Sequence, residues 1–250
     1  MTTLPGSSNR GKSADRKIVV SKDGPYIVSG SVPLAIQIIT PNKEGLSWDW
    51  KEGRTIETGQ EYSLCRCGRS KNKPFCDNTH TKIRFDGTET ATRRPYVRRA
   101  EMFEGPMLAL SDAEDLCAFA RFCDPGGKIW SLMEQTDDPE VRELVIREAN
   151  QCPSGRLVVY EKKTGQEIEQ KLPPSIGVVE DPALGCSGPL WVRGGITIES
   201  SDGTPHEVRN KVTLCRCGMS VNKPFCNGSH ASIKFRDGLV EFVRQKPAKQ

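Results

Sequence analysis

Two sixteen-residue blocks, CRCGRSKNKPFCDNTH from Cys65 to His80 and CRCGMSVNKPFCNGSH from Cys215 to His230, carry the same ligand-type residues at the same spacing: Cys, one residue, Cys, eight residues, Cys, three residues, His. In an extended chain, residues two apart point to the same side, so the first two thiols of each block suit one metal ion. A Cys and a His four apart meet on one helical turn and suit a second. Four ligands in two adjacent pairs are what a [2Fe–2S] cluster asks for, because its bridging sulfides fill the other half of each iron's shell. The expected pairs are Cys65 and Cys67 against Cys76 and His80, and Cys215 and Cys217 against Cys226 and His230. The rival is a structural Cys₃His zinc site in a zinc-stapled interaction module, but its first pair is typically spaced by about two to four residues, and a one-residue gap is tight. Chance burial of cysteines does not explain duplication at identical spacing. Pro74 and Pro224 stiffen the loop between the pairs, and Ser70 and Ser220 are placed to bond backbone groups there. Lys73 and Lys223 read as solvated side chains, with offsetting of cluster charge as a second reading.

The blocks resemble the motif of the CDGSH iron–sulfur (NEET) family, C-x-C-x2-(S/T)-x3-P-x-C-D-G-(S/A/T)-H. The first matches at Cys65, Cys67, Ser70, Pro74, Cys76, Asp77, Thr79 and His80, with Asn78 in place of the family's Gly. The second matches at Cys215, Cys217, Ser220, Pro224, Cys226, Gly228, Ser229 and His230, with Asn227 in place of Asp. Asn tolerates a left-handed backbone, so Asn78 is a mild departure; Asn227 removes a charge beside the cluster. The resemblance implies two [2Fe–2S] clusters, each on three Cys and one His, a small β-cap around each, and a role in electron or cluster transfer. Single-motif members pair as dimers, so the two copies are expected to pack as an internal pseudo-dimer within a monomer, or within a homodimer. A neutral imidazole leaves the cluster less negative than four thiolates would, which raises its reduction potential. Imidazole also takes up protons near neutral pH, so protonation of His80 and His230 is expected to couple reduction to pH and to loosen the clusters in mild acid.

Cys117 and Cys123, with five residues between them, and Cys152 followed by Pro153 resemble the ligands of single-cluster bacterial ferredoxins, where a C-x2-C-x2-C loop is completed by a distant Cys-Pro. Ala120 stands at the middle ligand position and leaves three thiols, the number a [3Fe–4S] cluster uses. Against this, Ser111 and Glu114 form a capping-box pattern before apolar Ala113, Leu116, Cys117 and Ala120 at helical spacing, which predicts a helix with buried thiols. The expectation is the helix, with a third iron–sulfur cluster as its alternative.

The elements that must position these residues also repeat. GPYIVSGSVPL begins at Gly24 and GPLWVRGGITI at Gly188; each leads into an alternating run before its cysteines, and a strand-like TKIRFDG or ASIKFRDG follows each histidine. The blocks lie 150 residues apart and the GP starts 164, so the first copy carries 14 extra residues, expected as a longer loop around TPNKEGLSWDWKEG. Between the copies, DDPEVRELVIREAN predicts a helix with Pro139 in its first turn, IWSLM and RLVVYE predict strands, and TGQEIEQKLPPSIGVVEDPALG predicts a connector. The expected class is α+β: a disordered tail over 1–17, β-rich units over 18–100 and 188–250, a small helical or ferredoxin-like insert over 101–165, and a linker over 166–187.

Composition bounds the rest. The 250 residues are 36% hydrophobic and 27% charged, which predicts small stapled units over one large core. With 36 basic and 32 acidic residues the net charge is +4, too balanced for a generic nucleic-acid binder. There is no apolar run of membrane-spanning length and no signal-peptide layout at the N-terminus, so the ten cysteines are expected in a reducing, cytoplasmic setting, ligated or buried. No phosphate-binding glycine loop, nucleophile elbow or paired-carboxylate arrangement stands out, so the expected protein is not an enzyme; its partner would be a redox or cluster-acceptor protein. RRPYVRR, from Arg93 to Arg99, reads as a solvated connector, with docking of an acidic redox partner as a second reading. Cys186 reads as a free thiol, His206 as a loop residue, and Trp48, Trp50, Trp130 and Trp191 as fillers of small cores.

Overall fold

The computed structural model describes residues 16–240. The tail expected over 1–17 lies outside the described residues except for Arg16 and Lys17, and Lys17 already opens the first strand. The first copy supplies β1 (Lys17–Val20), β2 (Tyr26–Ser29), β3 (Leu34–Pro41), β4 (Ser47–Ile56), β5 (Glu61–Leu64) and a helical turn, α1 (Thr79–Lys82). The insert contains β6 (Glu101–Glu104), β7 (Leu108–Asp112), α2 (Ile129–Leu132), α3 (Pro139–Gln151) and β8 (Leu157–Glu161). The second copy supplies β9 (Ser175–Asp181), β10 (Cys186–Arg193), β11 (Thr197–Glu199), β12 (Lys211–Leu214) and a turn, α4 (Ser229–Ser232). The α+β class is as expected.

The copies are interleaved. Within each, three strands pair antiparallel in the same order, β1–β2–β5 and β9–β10–β12. One further strand of each crosses to the other: β3 runs parallel beside β9 with Leu34 opposite Ile176, and β11 runs parallel beside β1 with Lys17 opposite Thr197. Both main sheets, β11-β1-β2-β5 and β12-β10-β9-β3-β4, are therefore built from both copies. Alternation in the short strands sends Ile18, Val20, Tyr26 and Val28 inward, where they meet Ile176, Val178, Leu190 and Leu214 in one apolar core. This corrects the expectation of small units with separate cores. Three short strands bury too little apolar surface alone and leave an open edge, and exchanging a strand remedies both.

Other expectations change for local reasons. The extra residues of the first copy form the β3–β4 hairpin, with Ile39 opposite Trp50; the SWDW alternation makes a strand where Pro and Gly suggested a loop. The second half of the expected linker is β9, an inner strand of the five-stranded sheet. The segments after the histidines are not strands: each histidine sits on a helical turn, and Phe85 N–H and Phe235 N–H bond the His80 and His230 carbonyls at 3.0 and 2.9 Å. IWSLM is helical, because Ile129 and Met133, four apart, are buried together against Val145 and Ala149 of α3. The α3 helix and β8 are as expected; Asp138 caps α3 by accepting from Glu140 N–H at 2.8 Å, with Pro139 in the first turn. Trp50, Trp130 and Trp191 pack as core or half-buried side chains, whereas Trp48 is 38% exposed beneath Arg147. Among the described residues no helix is long and apolar enough to cross a membrane.

Candidate metal centres

Each cysteine block begins one residue after a strand, β5 or β12, and folds back on it. Cys65 N–H donates to the Pro74 carbonyl at 2.8 Å and Cys76 N–H to that of Ser63 at 2.9 Å; Cys215 and Cys226 repeat the pattern with Pro224 and Thr213, each at 2.9 Å. The Ser70 and Ser220 hydroxyls hold the loop from inside, accepting from Asn72 and Asn222 N–H and donating to the Phe75 and Phe225 carbonyls. Asn78 (φ 64°) and Gly228 (φ 82°) then turn the chain left-handed and start the helical turn that carries the histidine. These folds bring the ligand candidates together in pairs. Cys65 Sγ lies 3.8 Å from Cys67 Sγ, and Cys76 Sγ lies 3.3 Å from His80 Nδ1. The second block gives 3.7 Å for Cys215–Cys217 and 3.4 Å for Cys226–His230.

A tetrahedral metal with bonds of about 2.3 Å to sulfur holds two thiolates about 3.8 Å apart, whereas a disulfide would draw them to about 2.05 Å. The donor set thus fits one metal per pair. Among the described residues no three His, Cys, Asp or Glu side chains converge to hold a single ion. The Cys65 and Cys215 thiols are each lowered to about 6, chiefly by the hydrogen bond with the neighbouring Cys67 or Cys217 thiol, and the same bond pushes Cys67 and Cys217 up. Burial pushes the Cys76 and Cys226 thiols up, and the Asn78 and Gly228 amides, donating to these sulfurs at 3.4 Å, offset part of that.

Reading the ligands alone missed three supporting residues. Arg66 and Arg216, the residue between the paired cysteines in both blocks, are buried and anchor the turn from behind. Arg66 donates to the Ser21 and Gly87 carbonyls. Arg216 donates to the Gly188 and Val179 carbonyls, each at 2.7 Å, and binds both Glu180 and Asp237. The one signal available was that the same Arg occurs in both copies. Tyr26, fully buried, reaches across the copies and donates to the Cys215 and Pro224 carbonyls at 2.7 and 3.0 Å; no local pattern marks it. Lys73 Nζ donates to the Ser70 carbonyl at 2.6 Å, so this side chain braces the loop.

The expected helix over residues 111–122 does not form. Ser111 and Asp112 belong to β7, opposite Val158 and Leu157 of β8, and Arg156 grips the Asp112 carboxylate at 2.5 and 2.7 Å. After one 3₁₀ turn at Glu114–Leu116 the chain runs irregularly, with Phe119 (φ 55°) and Arg121 (φ 63°) left-handed. This loop brings Cys117 and Cys123 to the same cavity as Cys152, Pro153 and Arg156. The Cys123 thiol is pushed up by burial first, then by Asp124, Cys152 and Cys117. Three thiols spaced around a cavity, not about a point, fit a polynuclear group better than a lone ion. Cys186 is buried and free on β10. His206 lies in a loop, as expected, but its side chain is buried, with Nε2 2.9 Å from Ser200 Oγ. Within RRPYVRR, Tyr96 is also buried, donating to the Ser111 and Arg156 carbonyls.

The family described as iron-binding zinc finger, CDGSH type, matches residues 23–81 and 187–231, and the family described as divergent 4Fe-4S mono-cluster matches residues 103–162. No curated protein and no solved structure matches the chain. The two matched CDGSH regions enclose the paired thiols and imidazoles, and the mono-cluster region encloses the three-thiol cavity. Two CDGSH-type iron-binding regions thus flank a region of the divergent 4Fe-4S mono-cluster type, and together they support an iron–sulfur protein.

Proposed function

We propose that the protein carries two [2Fe–2S] clusters, one held by Cys65, Cys67, Cys76 and His80 and the other by Cys215, Cys217, Cys226 and His230, and that it passes electrons or clusters to a partner protein. The observation that carries this reading is the division of both quartets into two pairs, each spaced for one tetrahedral metal. A binuclear cluster stores one electron, and an imidazole in the fourth position raises its potential above that of an all-thiolate cluster. The chain's own part is to hold both pairs on short loops braced by Ser70 and Ser220, and to offer amide N–H groups to the sulfurs. The shared core and exchanged strands support an internal pseudo-dimer, and a carrier of this kind needs no substrate pocket. Its setting is a reducing compartment such as the cytoplasm, and its partner is a redox or cluster-acceptor protein.

A third cluster on Cys117, Cys123 and Cys152 belongs to the same reading. It is favoured by the three thiols at one cavity on a loop that the left-handed Phe119 and Arg121 turn away from helix. Iron, zinc and acid-labile sulfide per chain, measured on anaerobically purified protein, test all of this. About four irons with equal sulfide mean two binuclear clusters, and about seven add a three-iron centre. A colourless protein holding zinc and no sulfide would replace the reading with that of a zinc-stapled interaction module.

A further inference from the structure

The three thiol sites are not evenly placed. The two cysteine turns touch through their backbones: a Cβ on Gly68 would fall 2.5 Å from the Cys217 carbonyl oxygen, and one on Gly218 would fall 2.6 Å from that of Cys67. The middle loop lies against the second quartet. A Cβ on Gly228 would fall 2.9 Å from the Phe119 Cβ and 3.7 Å from the Cys117 carbonyl oxygen. Gly228 N–H itself bonds the Cys226 sulfur, so the Cys117–Phe119 segment packs against the residue that donates to Cys226.

The middle loop is fixed in that position by the second copy. Arg121 pairs with Asp181 of β9 at 2.6 Å, and Asn222 donates to the Asp115 carbonyl at 2.7 Å. The Cys152 side is held likewise: Arg209 donates to the Gly155 carbonyl and Lys211 Nζ to those of Ala149 and Asn150. The first copy meets the insert through the β3–β4 hairpin, away from its own cysteine block: Trp50 Nε1 donates to the Gln151 carbonyl, the Trp50 ring lies 4.9 Å from that of Phe122 in the middle loop, and Arg147 lies over Trp48. At the first quartet the counterpart of Gly228 is Asn78, which is exposed.

We infer that the contact between Gly228 and the Cys117–Phe119 segment is an electron path from the middle site to the second quartet, and that the first quartet is reached from the middle site only through the Cys67–Gly68 and Cys217–Gly218 contact. This rests on the three-cluster reading. Electron tunnelling falls exponentially with distance, so the nearer pair exchanges first, and the second quartet is the hub of a linear path. In each step one electron leaves a reduced centre and enters an oxidised one; no bond is made or broken and no proton is required. The electron enters from a one-electron protein reductant and leaves to the acceptor protein.

The test is electron paramagnetic resonance on the dithionite-reduced full chain. A paramagnetic centre on the middle thiols speeds spin relaxation of its neighbour, so the reduced [2Fe–2S] signal should resolve into two saturation components. Replacing Cys123 with Ala, or Cys117 with Ser should one variant fold poorly, should lower the half-saturating power of one component several-fold and leave the other unchanged. In the chain carrying Cys76→Ala and His80→Ala, the component that remains should be the affected one. Equal change in both components, or change confined to the first quartet, overturns the path. An unchanged signal in protein whose third cluster is verified by iron count also overturns it while leaving the three-cluster reading intact. If instead the wild-type iron count shows no third cluster, that reading fails and the path with it.

Discussion

The two quartets have the same candidate ligands at nearly the same separations and stand in different surroundings. In the first, Cys76 and His80 are half-buried and Asn78 faces solvent; in the second, Cys226 and His230 are 2% and 4% exposed and Gly228 is covered by Phe119. The exposed loop positions differ too: Arg69 and Lys71 in the first become Met219 and Val221 in the second. Burial, followed by the nearby Arg216, lowers His230 to about 4. The comparison teaches that ligand geometry is written locally, within sixteen residues, whereas access and electrostatics are imposed by whatever packs on the block.

The largest expected difference lies behind the cysteines. Arg216 holds two fully buried carboxylates, Glu180 and Asp237, while Arg66 has carbonyls and the faces of Tyr26 and Phe85 as its partners among the described residues. Arg216→Ala leaves buried charge uncompensated and should cost about 3–5 kcal/mol. Arg66→Ala leaves carbonyls unpaired and should cost about 1–3 kcal/mol. Anaerobic urea denaturation of the two variants would contradict this if Arg66→Ala proved the more damaging.

The same buried triad sets a pH dependence. Glu180 is pushed up to about 7 by burial, against 4.5 for an exposed glutamate, despite the lowering by Arg216. An acid with a raised folded value keeps its proton after the unfolded chain has released it, so stability falls as pH rises from about 4.5 to about 7, by at most about 3 kcal/mol. Glu148, also raised to about 7 by burial, acts with the same sign. Glu180→Gln should therefore roughly halve the slope of unfolding free energy against pH in that window. A slope equal to wild type would show that Arg216 fully neutralises Glu180.

How much of this could be read from the chain follows the same division. The ligand spacing and α3 were legible because their signals are local: a Cys and a His four apart, and a cap followed by apolar periodicity. The helix expected from Ser111 and Glu114 failed because a capping pattern has no force against a strand partner: β8 pairs with β7, Tyr96 bonds Ser111, and Arg156 holds Asp112. The strand exchange was invisible because nothing in LAIQIITP or TIE names the partner, and parallel pairing is decided by the assembled core. Arg216 looked like a spacer because its carboxylates lie 36 residues before it and 21 after it.

Gly228 and Asn78 sharpen the comparison at one atom. Both are left-handed, but only at Gly228 does a neighbour occupy the place of a side chain. Gly228→Ala combines that backbone cost with a clash on Phe119 and should destabilise by about 2 kcal/mol. Asn78→Gly should be nearly neutral. Phe119→Gly, which removes the Cβ that an alanine would keep, should recover part of the Gly228→Ala loss in a double-mutant cycle. Additive effects would mean that Phe119 does not press on Gly228.

Burial also predicts an order of metal release. A chelator at neutral pH reaches Cys76 and His80 directly but needs the middle loop to lift before it reaches Cys226 and His230. A local opening of about 1.4 kcal/mol slows release tenfold, so the bleaching of visible absorbance should be biphasic with rates at least that far apart. The fast phase should be missing when Cys76 and His80 are both Ala. A single phase in wild type would indicate that both quartets open together.

The smallest effect expected is also the most specific to the interleaving of the copies. Tyr26 of the first copy bonds the carbonyls of Cys215 and Pro224, whereas its counterpart in the second copy, offset by 164 residues, is Leu190, which has no hydroxyl to return the contact. Tyr26→Phe keeps the ring in the shared core and removes only those bonds, so the loss should be about 1 kcal/mol. Because the Pro224 carbonyl also accepts from Cys215 N–H, the block keeps its fold, and the loss should fall on how firmly the second quartet is held. Chelator release should therefore quicken in the slow phase alone. Faster release from the first quartet instead would mean that Tyr26 serves its own copy and that the brace does not cross between them.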